Sequence, residues 1–337
     1  MKILVRLPNW LGDMVMSTGF LQVLRHSFPE AQVDVIIKAE YKSLAQFLPG
    51  GISGVHTFPK AKYKGLRGAY RFGRLLAPYK YDLFFSLPDS FSAGVMGWAT
   101  GAKYRIGYRN EGRALLFTHA YARPKAHHRV DAYSYLLEQY LGKPIDKVPV
   151  ALLADASIEV PASIKKSDEL PRIVLNFNSE AQSRRMPVLK AVSILQGLAQ
   201  RIKAEYLLLG GPKDTAFVEE IMALAGNLAH VKSLAGKTSL PELVSIMAAA
   251  DLVITTDSGP AHVANSLNRK MLVFFGAGDE ASTGPYNRHM AEVMQVPNLI
   301  CVPCRANTCR FGVPLCLLQQ DEALLVERAV ALLARQA

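Results

Sequence analysis

The chain has 337 residues, half of them hydrophobic and a fifth charged, with a formal net charge of +11. That length predicts two domains with a core each, and no run of about 18 apolar residues free of charge marks a membrane-spanning helix. The charge is one-sided: residues 1–150 hold 21 of the 39 Lys/Arg and 10 of the 28 Asp/Glu, the whole net of +11, whereas residues 151–337 hold 18 of each.

The opening run KILVRL reads as a buried strand. It is too short for a secretory signal and no small-residue cleavage site follows, so the chain is expected in the cytoplasm. It turns through Pro8, Asn9 and Gly12 into an apolar helix pattern, with one carboxylate, Asp13, at the turn. Further strands are expected at VDVIIK, GVHTF, YDLFFSL and YRIGY, with helical patterns between most of them. Residues 59–80 carry Lys60, Lys62, Lys64, Arg67, Arg71, Arg74 and Lys80 and no acid. A second basic group holds Lys103, Arg105, Arg109, Arg113, Arg123, Lys125 and Arg129. Such clusters are either solvated faces or the site of an anionic partner: nucleic acid, membrane surface or phosphorylated substrate. No DNA- or RNA-binding motif favours nucleic acid.

Residues 157–171, polar with two prolines, read as a linker. The rhythm then restarts with RIVLNFN, AEYLLLGG, HVKSLAG, LVITTDSG and KMLVFFGA. Short apolar strands alternating with helices predict parallel sheets covered on both faces. The expected fold is therefore α/β, with two Rossmann-like domains over residues 1–160 and 171–337. Ligands in such folds bind beyond the carboxyl ends of the strands.

Four strand ends carry candidate chemistry. In TTDSGPAHVA a strand ends at Asp257 and a helix starts near Pro260, a residue suited to the first helical position. Ser258 and Gly259 then offer backbone N–H groups at a helix start, which attracts anions. Asp257 either accepts sugar hydroxyls there or, like Ser258, caps the helix. His262 is a ligand or an interior histidine. In NFNSEAQSRRMP, Arg184 and Arg185 precede a helix beginning at Pro187, where cations work against the helix dipole; they either await an anion or are solvated. LLLGGPKD places Asp214 after a glycine pair, but no GxGxxG follows any strand. No Asp-x-Asp pair anchors a divalent metal on a diphosphate. Asp13, taken alone, reads as a first-turn carboxylate serving its helix dipole.

Cys301, Cys304, Cys309 and Cys316 are the only cysteines, spaced x2, x4 and x6. Such clustering admits a structural zinc site, a disulfide or reduced thiols. No metal and no part in catalysis are expected; whether the thiols pair or stay reduced is left open by the spacing.

Four segments together, RLPNWLGDMVMSTGFLQVLR, GKTSLPELVSIMAAADLVITTDSGPAHVANSL, FFGAGDEASTGPY and CVPCRANTCRFGVPLC, resemble the ADP-heptose:lipopolysaccharide heptosyltransferase family, glycosyltransferase family 9, over nearly the whole chain. The resemblance implies a GT-B fold, with an N-terminal acceptor domain and a C-terminal nucleotide-sugar domain facing each other across a cleft. The final helix is expected to return to the N-terminal domain. The resemblance also implies inverting transfer with no metal or other cofactor. Asp13 matches the family's general base, and Asp257 the acid that holds the donor sugar. Ser258 and Gly259 fall near the diphosphate, with His262 on the donor side. Asp214 falls on the nucleoside ribose, and Arg184 where the family usually has a lysine on the diphosphate. The usual Lys-Arg-Trp-Pro is here Arg184–Arg185–Met186–Pro187, and NFNSEAQS replaces a Pro-Gly-Ala type loop. The expected donor is ADP-heptose. The expected acceptor is an anionic glycolipid at the inner membrane surface, met by Lys60, Lys62, Lys64 and Arg67. Other readings on this fold are a different donor or acceptor, a nucleotide-sugar epimerase, and a nucleotide-binding regulator that makes no product.

Overall fold

The computed structural model describes residues 1–125, 127–154, 166 and 169–335. Most of the segment read as a linker, including the expected boundary at residue 160, lies outside the described residues. The chain divides into two units, Met1–Leu153 and Ala154–Ala337.

The first unit is a six-stranded parallel sheet of β1 (Lys2–Arg6), β2 (Gln32–Lys38), β3 (Gly54–Phe58), β4 (Leu83–Ser86), β5 (Tyr104–Tyr108) and β6 (His119–Tyr121), in the order β3-β2-β1-β4-β5-β6. At its centre Leu4 pairs with Asp34 on one side and Phe84 on the other. Ile3, Leu4 and Val5 are wholly buried, because helices cover both faces; this is why β1 is a continuous apolar run rather than an alternating one. The covering helices are α1 (Leu11–Met16), α2 (Thr18–Ser27), α3 (Gly65–Leu76), α4 (Phe91–Ala99) and α5 (Arg129–Leu141). Helix α3 buries Gly68, Ala69, Phe72, Gly73 and Leu76 and leaves Arg67, Arg71 and Arg74 in water. It packs closely on α4 because Gly73 has no side chain: a Cβ there would meet the Met96 carbonyl oxygen.

The second unit repeats this topology. Strands β7 (Arg172–Asn176), β8 (Glu205–Leu208), β9 (Val231–Ser233), β10 (Leu252–Thr256), β11 (Met271–Phe275) and β12 (Ala291–Gln295) form a parallel sheet in the order β12-β11-β10-β7-β8-β9. Around it lie α6 (Val188–Arg201), α7 (Thr215–Ala225), α8 (Leu240–Ala248), α9 (Gly259–Ser266), α10 (Glu280–Thr283), α11 (Leu315–Leu318) and α12 (Glu322–Ala334). The final helix, α12, buries Leu325, Ala329 and Leu332 in the core of this unit and is tied to α6 by Lys190 and Glu322, 2.7 Å apart. The helix's apolar stripe is thus packed in the second core.

In each sheet the chain connections diverge at one place, between β1 and β4 and between β7 and β10. The crevice beyond the carboxyl ends of the strands at such a switch point is where open α/β sheets bind ligands. Edge strands β6 and β12 were not expected from the sequence; they are largely half-exposed and so lack an apolar run. Among the described residues no helix is long and apolar enough to cross a membrane.

Candidate active site

At the switch point of the first unit, the chain leaves β1 at Arg6, a buried cation. Its guanidinium donates to the carbonyl oxygens of Leu7 (2.6 Å) and Ile36 (3.2 Å) and to Asn9 Oδ1, which fixes the turn into α1. Burial pushes the Arg6 pKa down to about 10. Helix α1 has no side-chain cap, and Asp13 lies in its first turn. Arg129, the first residue of α5, brings Nη1 to 3.7 Å from Asp13 Oδ1. Burial opposes the Arg129 cation, but Tyr133 and Asp13 beside it outweigh burial and raise its pKa.

Asp89, just beyond β4, stands on the other side of the same switch point and pairs with Arg123 and with Arg113 (3.5 Å). Arg113 is fully buried, donating to the carbonyls of Pro88 (2.7 Å) and Ser90 (3.3 Å) and to Asn110 Oδ1 (2.9 Å). Three arginines of the second basic group are therefore matched inside the unit rather than presented to a partner. Lys60, Lys62, Lys64 and Arg67 behave differently. They follow β3, at the same carboxyl edge of the sheet as Asp13, and all four are exposed. Among the described residues none of them forms an ion pair.

At the switch point of the second unit, β10 delivers Asp257, only 3% exposed. Burial pushes its carboxyl pKa up, and Arg184 pulls it partly back; Arg184 Nη1 lies 3.2 Å from Asp257 Oδ2. The backbone of Gly278, in the turn after β11, lies against the same oxygen, where a Cβ would collide. Ser258 is the N-cap of α9, yet no side chain caps that helix. Its hydroxyl donates instead to the Thr256 carbonyl (3.1 Å) and accepts from Asn176 Nδ2 (2.9 Å). The capping reading of Asp257 and Ser258 is thus set aside. Gly259 is the first helical residue and Pro260 the second, so the helix starts one residue earlier than the sequence suggested. The Gly259 N–H has no intrahelical acceptor. His262 is one turn into α9 and half-buried.

Neither arginine of the 184–185 pair is merely solvated. Arg185 Nη2 pairs with Asp214 Oδ1 at 2.7 Å and donates to the Ser179 carbonyl at 3.2 Å; its guanidinium also stacks over Phe217, 5.2 Å from the ring centre. Asp214 accepts the Gly211 N–H at 3.0 Å. Met186, in place of the family's tryptophan, is buried in the core and donates its N–H to the Phe177 carbonyl (3.0 Å). Asn178 links the two acidic positions. Its amide donates to the Leu209 carbonyl (2.5 Å) beside the Asp214 turn, and its own carbonyl accepts from Thr256 Oγ1 (2.6 Å) beside Asp257. Its buried Oδ1 has no hydrogen-bond partner among the described residues. Arg184, Asp257, Ser258 and Gly259 are therefore gathered at one point, with Asp214 joined to them through Asn178. Sequence reasoning assigned nothing to Asn176, Asn178 or Asp89, and it placed Arg129 in a basic group without seeing that it meets Asp13. The one available signal was a pair of asparagines closing the apolar run RIVLNFN.

The four cysteines are unpaired thiols. Cys316 is buried against Gly276, whose missing Cβ makes room for the sulfur. Burial pushes the Cys316 thiol pKa up. Among the described residues no three His, Cys, Asp or Glu side chains form a group that could hold a metal ion.

Comparison with known proteins gives the family and the fold. Glycosyltransferase family 9 (heptosyltransferase) matches residues 69–313. Lipopolysaccharide heptosyltransferase 2 of Escherichia coli (strain K12) is 28% identical over 316 residues, covering 88% of each chain. The solved structure of E. coli ADP-heptose lps heptosyltransferase II superposes with a TM-score of 0.82 at 25% identity, covering 99% of this chain and 98% of that one. E. coli heptosyltransferase WaaC with ADP shares the fold, with a TM-score of 0.73 at 17% identity over 99% of this chain and 100% of that one. The chain is a glycosyltransferase with two parallel-sheet units of the GT-B class, and it belongs to glycosyltransferase family 9 (heptosyltransferase).

Proposed function

We propose that this enzyme transfers a heptose from ADP-heptose to a hydroxyl of an anionic, lipopolysaccharide-core-type glycolipid, with inversion at the anomeric carbon. The observation that carries the reading is the Arg184–Asp257 pair at the start of α9, beside the β7/β10 switch point. The acceptor oxygen forms its bond to the anomeric carbon as the bond to the phosphate oxygen breaks, and the electron pair leaves with ADP. That departing diphosphate needs positive charge. Arg184 and the amides of Ser258 and Gly259 supply it without calling on a metal. Asp257 holds the sugar hydroxyls, Asp214 the ribose, and His262 lies on the same donor side. Asp13 takes the proton of the attacking hydroxyl as general base, with Arg129 orienting its carboxylate.

The acceptor side of the reading rests on charge. Lys60, Lys62, Lys64 and Arg67 are exposed and suited to the phosphates of a glycolipid. Next to them on α3 and α4 are exposed Leu66, Tyr70 and Trp98, with the rings of the last two 5.7 Å apart. Apolar and basic side chains together suit an anionic membrane surface. The enzyme then works at the cytoplasmic face of the inner membrane, and nucleic acid is not its partner. The E. coli relatives named for heptose transfer to lipopolysaccharide support this choice of substrates.

A thermal-shift panel of ADP-, UDP- and GDP-sugars tests the donor. A ligand at 100 times its Kd that binds only the folded state stabilises by ~2.7 kcal/mol, and ADP-heptose is expected to stand alone. Stabilisation by a UDP-sugar instead would overturn the donor assignment. Turnover of ADP-heptose into an isomer without any acceptor would overturn the transfer.

A further inference from the structure

Residues 296–314, between β12 and α11, contain no helix or strand, and ordering such backbone costs conformational entropy. Long irregular segments in compact domains are usually functional, so where this one is fastened matters. Its middle is fastened to two turns. On one side the Arg305 N–H donates to the Ala277 carbonyl (2.7 Å), and its guanidinium pairs with Asp279 Oδ2 (2.5 Å). On the other side lies the turn Gln182–Arg184. Ser183 donates its N–H to the Asn307 carbonyl (3.0 Å) and its hydroxyl to the Ala306 carbonyl (2.5 Å). Gln182 grips the segment with both ends of its amide: Nε2 donates to the Gly312 carbonyl (2.8 Å) and Oε1 accepts the Cys309 N–H (2.9 Å). The far end of the segment is held by buried Cys316 against Gly276.

Both turns lead to Asp257. The turn after β11 sets the Gly278 backbone against its carboxylate. The other turn carries Arg184, whose Nη1 is 3.2 Å from Asp257 Oδ2. Apart from the segment, the 182–184 turn is held by its own backbone bonds, by the Arg184–Asp257 and Arg185–Asp214 pairs and by Met186 beyond it, and none of these fixes the backbone of Gln182 and Ser183 from outside the turn. Gln182 is exposed, so its amide bonds do not fill a core; they fix where the next turn of chain stands.

We infer that residues 305–312 brace the site, with Gln182 as the positioning residue that sets Arg184 against Asp257. This rests on Arg184 acting as the cation on the departing diphosphate. It also gives the cysteine-bearing segment a role without giving its thiols any chemistry.

A double-mutant cycle on the full-length enzyme tests the inference, using Gln182→Ala, Arg184→Ala and the double variant, with kcat/KM for ADP-heptose and Tm read for each. Gln182→Ala is expected to lower kcat/KM by about 10- to 100-fold, the scale of a small misplacement of a catalytic group, with a Tm near wild type. In the Arg184→Ala background the same substitution should change almost nothing, because its effect passes through the missing guanidinium. Equal losses in both backgrounds would overturn the brace, since Gln182 would then act by another route. Wild-type activity of Gln182→Ala would overturn it as well. A fully active Arg184→Ala fails differently: it removes the diphosphate assignment on which the brace rests.

Discussion

Replacing Arg184 with alanine removes one cation and leaves one buried carboxylate behind. At the 3.2 Å separation of Arg184 Nη1 and Asp257 Oδ2, two unit charges attract by about 5 kcal/mol at an effective dielectric of ~20 and about 1.3 kcal/mol in bulk water. The Arg184 side chain is 34% exposed, so water screens the pair and the working value falls toward the lower figure. The ground-state pair is therefore a modest term. The larger effect is on the transition state, where loss of one preorganised charge stabiliser costs roughly 3–4 kcal/mol, or about 10²–10³ in rate. Arg184→Lys keeps the charge without the planar fork and should recover much of that loss. A second signature is pH. Arg184 holds the Asp257 pKa down against burial, so its removal lets that pKa rise, and the acid limb of kcat/KM should move to higher pH. The assay is ADP release with a phosphorylated glycolipid acceptor, with and without EDTA, for wild type and both variants. Turnover is expected to survive EDTA. A fully active Arg184→Ala would show that another cation meets the diphosphate, and strict dependence on added magnesium would show that the charge comes from a metal.

Asp13→Asn keeps the size of the side chain but not the proton acceptor; turnover should fall about 10²–10⁴-fold while calorimetric ADP affinity stays near wild type, and wild-type turnover would reduce Asp13 to a helix-start residue. Exchanging Lys60, Lys62, Lys64 and Arg67 for neutral residues should raise the acceptor KM and flatten its salt dependence, since exposed charges are screened over ~8 Å at physiological ionic strength; an unchanged salt profile would return this face to solubility alone. Asp257→Asn should lose activity yet raise Tm at neutral pH. Burial raises the folded-state pKa of Asp257, so the folded protein prefers its neutral form. That contribution is full below the ordinary carboxylate pKa and is lost as pH rises through the raised one. The Tm gain of the variant should accordingly shrink as pH falls toward 4, and a gain independent of pH would contradict the burial argument.

The local chemistry of the chain already specified ten of the twelve strands, most of them because a strand covered on both faces needs only a short, continuous apolar run. The parallel α/β class followed from the alternation of those runs with helical patterns. Asp13 and Asp257 were visible for the same reason: each breaks an apolar pattern where a strand gives way to a helix. The edge strands His119–Tyr121 and Ala291–Gln295 were not visible, since they are largely half-exposed and carry no continuous apolar run. What each charged residue does was decided by tertiary structure. Arg129 meets Asp13 across 116 residues, and Arg184 meets Asp257 across 73. Arg113 and Lys60 look alike in a basic sequence; one is sealed among carbonyls and the other stands in water. Gln182 reaches the 305–312 segment over more than 120 residues. Apolar periodicity is written locally because burial acts on each residue's own face, whereas an ion pair or a brace depends on which loops the sheet order carries to the same edge. That order is set by packing and crossover geometry, and no spacing along the chain encodes it.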